Sequence, residues 1–200
     1  MSVSPTFDFE NLLASGGIEY IAGVDEAGRG PVAGPVTAAA VILPLDVIIE
    51  NVRDSKQLSE HTRESVAASV KEKALDFSIA HVPNETIDSV NILNATRIAV
   101  RTAVESLKIK PQVVLIDGKF LNMKDMTCIS VVKGDSTVFS IAAASIIAKT
   151  ARDALMYSYS REFPEYSFER NKGYLTAKHL EAIRRHGFSP IHRRSFTVML

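Results

Sequence analysis

Four carboxylate side chains stand where apolar runs end, far apart in the sequence but able to meet in a folded chain. Asp25 and Glu26 follow an apolar run near the start of the chain. Asp117 ends a second apolar run 92 residues after Asp25, and Asp135 comes 18 residues later. Converging carboxylates repel one another unless a cation neutralises them, and oxygen ligands without a Cys or His pattern favour magnesium or manganese over zinc. These acids therefore predict a two-metal phosphodiester hydrolase.

Each acid by itself has a simpler interpretation. Asp117 precedes Gly118, and Asp135 follows Gly134, and both pairs are common in ordinary solvated turns. The turn interpretation weakens when all four acids are considered together, because every one of them ends a predicted strand or opens the loop after it. We therefore expect the four to converge.

A glycine-flanked arginine directly follows the first pair of acids. Gly28 and Gly30 allow backbone amides to approach a ligand closely, and Arg29 supplies a fixed positive charge for a phosphate. A P-loop is excluded, because Arg29 and Gly30 stand where that motif requires Lys and then Ser or Thr. A tight hairpin turn remains the simpler alternative.

The elements that must position these groups alternate between strands and helices. Short apolar and β-branched runs predict strands at 19–24, 36–43, 76–82, 113–116 and 127–132. Helical spacing and capping residues predict helices at 59–74, from Asn91 to before Pro111, at 138–148 and near 176–186. This alternation is typical of a layered α/β fold, in which ligands collect beyond the carboxyl ends of the strands. The four acids lie at those ends.

Composition limits the class of protein. A chain of 200 residues with 46% hydrophobic content is long enough for one main domain. The single Cys128 excludes an intramolecular disulfide, and no apolar stretch approaches the ~20 residues needed to cross a bilayer. The first residues lack the basic and apolar segments of a secretory signal. We expect a cytoplasmic protein that begins with a loose polar extension.

The net charge of zero hides an asymmetry along the chain. Residues 161–200 carry 8 Lys and Arg against 4 Asp and Glu, whereas residues 1–160 carry 15 against 19. A basic C-terminal segment is suited to phosphate binding, although a solvated helix surface explains the same charges. Lys149, Arg193 and Arg194 are further candidates for phosphate contacts. The alternative for Lys149 is that its side chain extends from the end of the buried helix to solvent, and the alternative for the arginines is a helix-cap or core-edge ion pair.

Seven stretches in the same order resemble bacterial ribonuclease HII, a type 2 ribonuclease H. They are VDEAGRGPVAGPV, DSKQLSE, LIDG, KGD, IAAASIIAKTARD, NKGYLTAKH and HRRSF. The resemblance implies a ribonuclease H-like α/β fold, with a mixed central sheet, flanking helices and a small C-terminal helical subdomain. Together with the polar, helical pattern that begins at about Tyr157, it divides the chain into an N-terminal extension at 1–18, a catalytic domain at 19–156 and a helical substrate-binding segment at 157–200.

The resemblance also implies an activity and its residues. The family's four catalytic, metal-binding acids fall on Asp25, Glu26, Asp117 and Asp135, with Mg²⁺ or Mn²⁺ as cofactor and two ions expected at turnover. The family hydrolyses the RNA strand of RNA–DNA hybrids and incises duplex DNA on the 5′ side of an embedded ribonucleotide, leaving 3′-hydroxyl and 5′-phosphate ends. We expect a monomer with these nucleic acids as partners and no membrane partner.

Substrate-binding roles follow from the resemblance as well. Gly28, Arg29 and Gly30 match a loop whose backbone contacts the ribose 2′-hydroxyl and whose arginine meets a phosphate. Tyr174 matches a tyrosine that packs on the neighbouring deoxyribose, and Lys56 matches a contact to backbone phosphate. Two alternatives stay open: a strand-transferring nuclease or resolvase on a related fold, and a nucleic-acid-binding module without activity.

Overall fold

A mixed five-stranded sheet forms the centre of the computed structural model, which describes residues 4–52, 58–118 and 126–198. The strands are β1 (Ile21–Ala27), β2 (Val36–Ile42), β3 (Asp76–Val82), β4 (Val113–Asp117) and β5 (Cys128–Val131). They lie in the order β3-β2-β1-β4-β5. Strands β1, β2 and β3 are antiparallel neighbours, whereas β4 runs parallel to β1 and β5 runs parallel to β4. The carboxyl ends of β1, β4 and β5 therefore share one edge of the sheet.

Helices cover both faces of this sheet. They are α1 (Asp8–Ser15), α2 (Glu60–Lys73), α3 (Asn84–Glu105), α4 (Gly134–Thr137), α5 (Phe139–Glu162), α6 (Phe168–Asn171) and α7 (Ala177–His186). The predicted cap of α2 is confirmed, because Ser59 accepts a hydrogen bond from the Thr62 N–H. Helix α7, expected near 176–186, is capped by Thr176, which accepts a hydrogen bond from the His179 N–H. Within the described residues, no helix combines the length and apolar character that a membrane span requires.

Small residues in β2 let the helices approach the sheet on both sides. All seven residues of β2 are buried. Ala38 and Ala40 belong to the apolar cluster that includes Val100 of α3, whereas Ala39 belongs to the opposite cluster, with Ala143 of α5. Successive strand side chains point to opposite faces, so one strand serves both cores.

The third helix begins earlier than its sequence predicts. The capping pattern places its start at Asn91, but α3 begins at Asn84 and is interrupted at Asn91, where φ is 66° and ψ is 164°. The Asn91 side chain still accepts a hydrogen bond from the Asn94 N–H at 3.1 Å. Asn91 therefore caps the second half of a broken helix, and the first half begins directly after Pro83, whose backbone is extended.

The beginning of the chain is not the loose extension that its composition predicts. Phe7 stacks on Phe139 with ring centroids 4.4 Å apart, and Thr6 forms a parallel bridge with Val138. The buried Glu10 accepts a hydrogen bond from the Ser140 N–H at 2.9 Å. Helix α1 thus docks on the start of α5, and the apolar contacts of its side chains stabilise an arrangement that has no local signal in the sequence.

The C-terminal residues pack around aromatic side chains. Tyr166, Phe168 and Ile183 form a buried cluster, and Met156 joins it from α5. Helix α5 runs without a break across residue 157. The division of the chain at that point therefore stays a prediction.

Candidate active site

The four acids picked out by position lie around one cleft of about 290 Å³. Asp25 and Glu26 lie near the end of β1, Asp117 is the last residue of β4, and Asp135 lies in α4 just after β5. The cleft is also lined by residues that the sequence analysis predicted to bind substrate and by residues for which it predicted no role. The lining residues are Asp25, Glu26, Ala27, Gly28, Arg29, Gly30, Asp117, Asp135, Ser145, Lys149, Arg152 and Tyr174.

Strand register brings the acids together. Val24 pairs with Ile116 in the parallel β1–β4 ladder, so the next residue of each strand, Asp25 and Asp117, emerges at the same edge. Lys133, with φ of 57°, takes the left-handed conformation and turns the chain sharply after β5. The Gly134 N–H then donates to Asp117 Oδ1 at 2.7 Å. This bond ties the start of α4, and with it Asp135, to the end of β4.

A glycine in β1 lets α5 complete the site. A Cβ on Gly23 would overlap the backbone of Ser140 and Ile141, so only glycine allows this close crossing of α5 over β1. The crossing places Ser145 of α5 within hydrogen-bonding reach of Asp25. The buried apolar helix predicted at 138–148 is confirmed, and Ser145 is its residue that lines the cleft.

Burial and like charge dominate the electrostatics of the site. Burial raises the pKa of Asp25 well above its ordinary value, and the carboxylates of Glu26 and Asp117 raise that pKa further. Burial also raises the pKa of Glu26, although Arg29, 3.1 Å from Glu26 Oε1, counteracts it. The charged forms are therefore poorly compensated by the protein itself, and a bound cation would stabilise them.

The donor set fits a hard divalent cation in chemistry but is not already closed around one. In the part of the chain that the structure describes, no three Asp, Glu, His or Cys side chains are arranged as a metal-binding group. One oxygen of Glu26 is held by Arg29, and one oxygen of Asp117 is held by the Gly134 N–H. Rotation of these carboxylate side chains would be enough to bring their oxygens to a cation, and no strand would need to move. The oxygen donors therefore indicate a site for a hard divalent cation even though they are not yet arranged around one.

The predicted substrate residues lie on the same cleft, with one exception. Gly28 adopts φ of 93°, and the Arg29 side chain is 55% exposed at the rim. Tyr174 is 49% exposed and lies close to Gly30, since a Cβ there would be 3.5 Å from its ring. Lys56 lies outside the described residues. The glycine-flanked loop and the tyrosine thus flank the acids, as their assigned roles require.

Sequence reasoning missed or misplaced three groups. Ser145 and Arg152 line the cleft but were not predicted, although Ser145 interrupts the apolar run of α5 and Arg152 follows that run on the same helix. Arg193 was expected to contact phosphate or to form an edge ion pair. It is instead completely buried, and its guanidinium donates to backbone carbonyl oxygens, so it cannot contact a substrate phosphate.

Comparisons with known proteins agree with this arrangement. A model of the Ribonuclease HII family matches residues 22–199. Ribonuclease HII from Clostridioides difficile (strain 630) is 50% identical over 188 residues, which cover 94% of this chain and 74% of that protein. The crystal structure of ribonuclease H2 from Pyrococcus horikoshii OT3 is 29% identical, with a TM-score of 0.77 over 89% of this chain and 94% of that one.

A more distant structure shares the fold. Bst-RNase HIII, solved in complex with Mn²⁺, is 21% identical, with a TM-score of 0.62 over 84% of this chain and 63% of that one. The expected ribonuclease H-like α/β fold, with its mixed sheet and flanking helices, is confirmed by these likenesses together with the strand order. Because the family match extends over most of the sequence, the chain belongs to the ribonuclease HII family and is a ribonuclease H hydrolase.

Proposed function

We propose that the protein is a metal-dependent endonuclease that hydrolyses the RNA strand of RNA–DNA hybrids and cuts duplex DNA 5′ of a single embedded ribonucleotide. The products carry 3′-hydroxyl and 5′-phosphate ends. One observation carries this proposal: the loop of Gly28, Arg29 and Gly30 follows the acids Asp25 and Glu26 after a single residue, and all five line one cleft. A group that reads the sugar is thereby fused to groups that act on the adjacent phosphodiester, so binding of the correct sugar aligns the reaction.

The four acids are the proposed ligands of the divalent ions, with Mg²⁺ or Mn²⁺ as the cofactor and two ions at turnover. When bound, such ions supply an activated water and neutralise the charge that develops on the leaving oxygen. The protein orients the ligands through neighbouring donors: the Ser145 side chain contacts Asp25, and the Gly134 N–H holds Asp117. Partners of this kind fix carboxylate orientation and tune metal affinity.

Arg29 and Tyr174 are the proposed contacts to the substrate backbone. The Arg29 guanidinium bonds to Glu26 at 3.1 Å, so it is already held at the rim where a phosphate would approach. A phosphate can replace Glu26 as its partner when that carboxylate turns to a metal ion. The half-exposed ring of Tyr174 presents an apolar face of the size that packs on a sugar. The phosphate contact of Lys56 stays a prediction.

Of the alternatives, neither a resolvase nor an inactive binding module has an observation in its favour. All four acids are present on one cleft, and the family match spans residues 22–199. The cytoplasmic location and the monomeric state expected from the sequence stay predictions.

The test compares two labelled DNA duplexes, one with a single ribonucleotide and one without, each with and without Mg²⁺ or Mn²⁺. We expect a nick on the 5′ side of the ribonucleotide, only in the first duplex and only with metal. Asp117→Asn should abolish cutting while the far-UV circular dichroism stays that of the wild type, because an amide keeps the shape but removes a charged ligand. Equal cutting of both duplexes, or full turnover by the variant, would contradict the proposal.

A further inference from the structure

Two arginines lie completely inside the protein beneath the glycine-flanked loop. Arg193 is 0% exposed and Arg152 is 1% exposed, and among the residues that the structure describes they are the two largest fully buried side chains. Arg193 donates to three carbonyl oxygens of the loop and its continuation: Gly28 O at 2.6 Å, Gly34 O at 2.9 Å and Arg29 O at 3.1 Å. One guanidinium near the end of the chain thus holds a loop about 160 residues earlier.

Arg152 supports the same loop from α5. It donates to Pro35 O at 3.0 Å and to Ala33 O at 3.2 Å. Its third bond, to Lys172 O at 2.9 Å, reaches the residues just before Tyr174. The two buried cations therefore connect both walls of the cleft, the loop on one side and the tyrosine segment on the other.

Burying these cations is costly. Removal of a guanidinium from water is expensive, and an apolar side chain of similar volume often stabilises a core better. Burial lowers the pKa of Arg193 to about 9, and the neighbouring charge of Arg152 contributes to this shift. Stabilisation of the fold therefore does not explain why an arginine occupies position 193. The positions of its three carbonyl acceptors indicate a role in orienting the loop.

The acceptors of Arg193 determine where the loop's N–H groups point. In a trans peptide the C=O of one residue and the N–H of the next lie on opposite sides of the chain. Because the carbonyls of Gly28 and Arg29 face Arg193, the N–H groups of Arg29 and Gly30 face away from it. The cleft lies on that other side, since residues 28–30 line it. Two adjacent donors are thus aimed at whatever occupies the cleft beside the acids.

We propose that Arg193 is a positioning residue for sugar recognition: it turns two peptide planes so that the N–H groups of Arg29 and Gly30 donate to the ribose 2′-oxygen and the adjoining phosphate. This inference rests on the proposed function. Selection of ribose over deoxyribose then depends on a side chain that never touches the nucleic acid. Arg152 assists by supporting the strand-side end of the loop.

The test uses Arg193→Lys, which keeps the positive charge but replaces a planar fork with one ammonium that cannot hold three carbonyls in place. Binding of the full-length protein to the single-ribonucleotide duplex and to the all-DNA duplex is measured by fluorescence anisotropy in EDTA. We expect the wild type to prefer the ribonucleotide duplex and the variant to lose about tenfold of that preference, the size of effect that loss of the bond to the 2′-oxygen produces. Affinity for the all-DNA duplex should fall by less than affinity for the ribonucleotide duplex, since the all-DNA duplex has no 2′-hydroxyl and loses only the loop's bond to phosphate.

A matched control separates positioning from loss of stability. Val104→Ala creates a cavity in the α3 core on one face of the sheet, and it should lower the thermal midpoint while leaving the preference intact. Retention of the preference by Arg193→Lys, or an equal loss in Val104→Ala, would overturn the inference. If the wild type fails to nick at the ribonucleotide, the proposed function itself fails. If it nicks but shows no binding preference, only the inference fails.

A second measurement needs no variant, so the inference can be overturned even if Arg193→Lys does not fold. Amide hydrogen exchange is followed in the wild-type protein, free and with the ribonucleotide duplex in EDTA. The Arg29 and Gly30 amides should exchange rapidly in the free protein and at least tenfold more slowly in the complex. Exchange at both amides that is unaffected by the duplex would show that they do not face the substrate.

Discussion

Acidification is expected to destabilise the protein through a buried pair of histidines behind Tyr174. The Ser189 N–H donates to His192 Nδ1 at 2.9 Å, so the neutral ring carries its proton on Nε2. That nitrogen lies 3.0 Å from His179 Nε2, and His179 Nδ1 in turn donates to Tyr174 O at 2.8 Å. A second proton on His192 would set its Nδ1–H against the Ser189 N–H, which would lose its acceptor.

The size of the effect follows from the pKa of His192. Burial, and next the nearby His179, lower that pKa from an ordinary 6.5 to about 4. Between these two values the unfolded chain binds a proton that the folded protein does not, so His192 contributes its full stability above pH 6.5 and loses it as the pH falls towards 4. Between pH 8 and pH 5 the free energy of unfolding should fall by about 2 kcal/mol from this residue.

The assay isolates His192 from groups that act in the opposite direction. The raised pKa values of Asp25 and Glu26 favour the folded state as the pH falls, so the total pH dependence is a mixture. Urea unfolding of wild type and of His192→Asn is therefore compared at pH 8 and pH 5, and the difference between the two proteins should shrink by about 2 kcal/mol at the lower pH. His61→Asn, an exposed histidine of α2, serves as the control and should keep the wild-type dependence.

Parallel curves for wild type and His192→Asn would refute the reasoning. They would mean that His192 gains its proton equally easily in the folded and unfolded states, which is incompatible with the Ser189 N–H donating to its Nδ1.

Three further substitutions test the packing and charge of the site. Gly23→Ala should lower the free energy of unfolding in urea by about 1–3 kcal/mol, because the new Cβ overlaps the Ser140 backbone. Asp153→Asn should lower it by about 3–5 kcal/mol, because the nearly buried Arg63 loses a carboxylate 3.0 Å away. Asp25→Asn should abolish cleavage yet raise the thermal midpoint in EDTA by about 2–4 °C, the size of shift that relief of about 1 kcal/mol of charge repulsion produces.

For each of these three substitutions, a different result would contradict the expected one. Wild-type stability of Gly23→Ala would mean that α5 does not rest on β1 at this residue. For Asp153→Asn the matched control is Glu181→Gln, which breaks an exposed pair with Arg185 and should cost at most about 0.5 kcal/mol. Similar losses in the two variants would show that burial adds nothing to the Asp153 pair. A lower midpoint for Asp25→Asn in EDTA would contradict the repulsion argument.

Local sequence patterns were sufficient to predict the helices and strands that are marked by a capping residue or by an apolar run. Ser59 caps the helix that its position predicts, because a side-chain acceptor at a helix start acts within three residues. The apolar run at 113–116 predicts a central strand, and β4 is buried over those four residues. The same logic placed the acids at strand ends, and the shared edge of the parallel strands then brought Asp25 and Asp117 to one cleft.

The amino-acid sequence by itself determined the five strands, the main helices α2, α5 and α7, the family motifs and the four acids, because each depends on residues near one another in the chain. Tertiary structure alone decided that Glu10 contacts the start of α5 and that Arg193 lies beneath the loop at 28–30. Both are charged side chains that local pattern assigns to the surface. Their burial becomes possible only when acceptors or donors more than a hundred residues away are brought to them, and no window of sequence contains both partners.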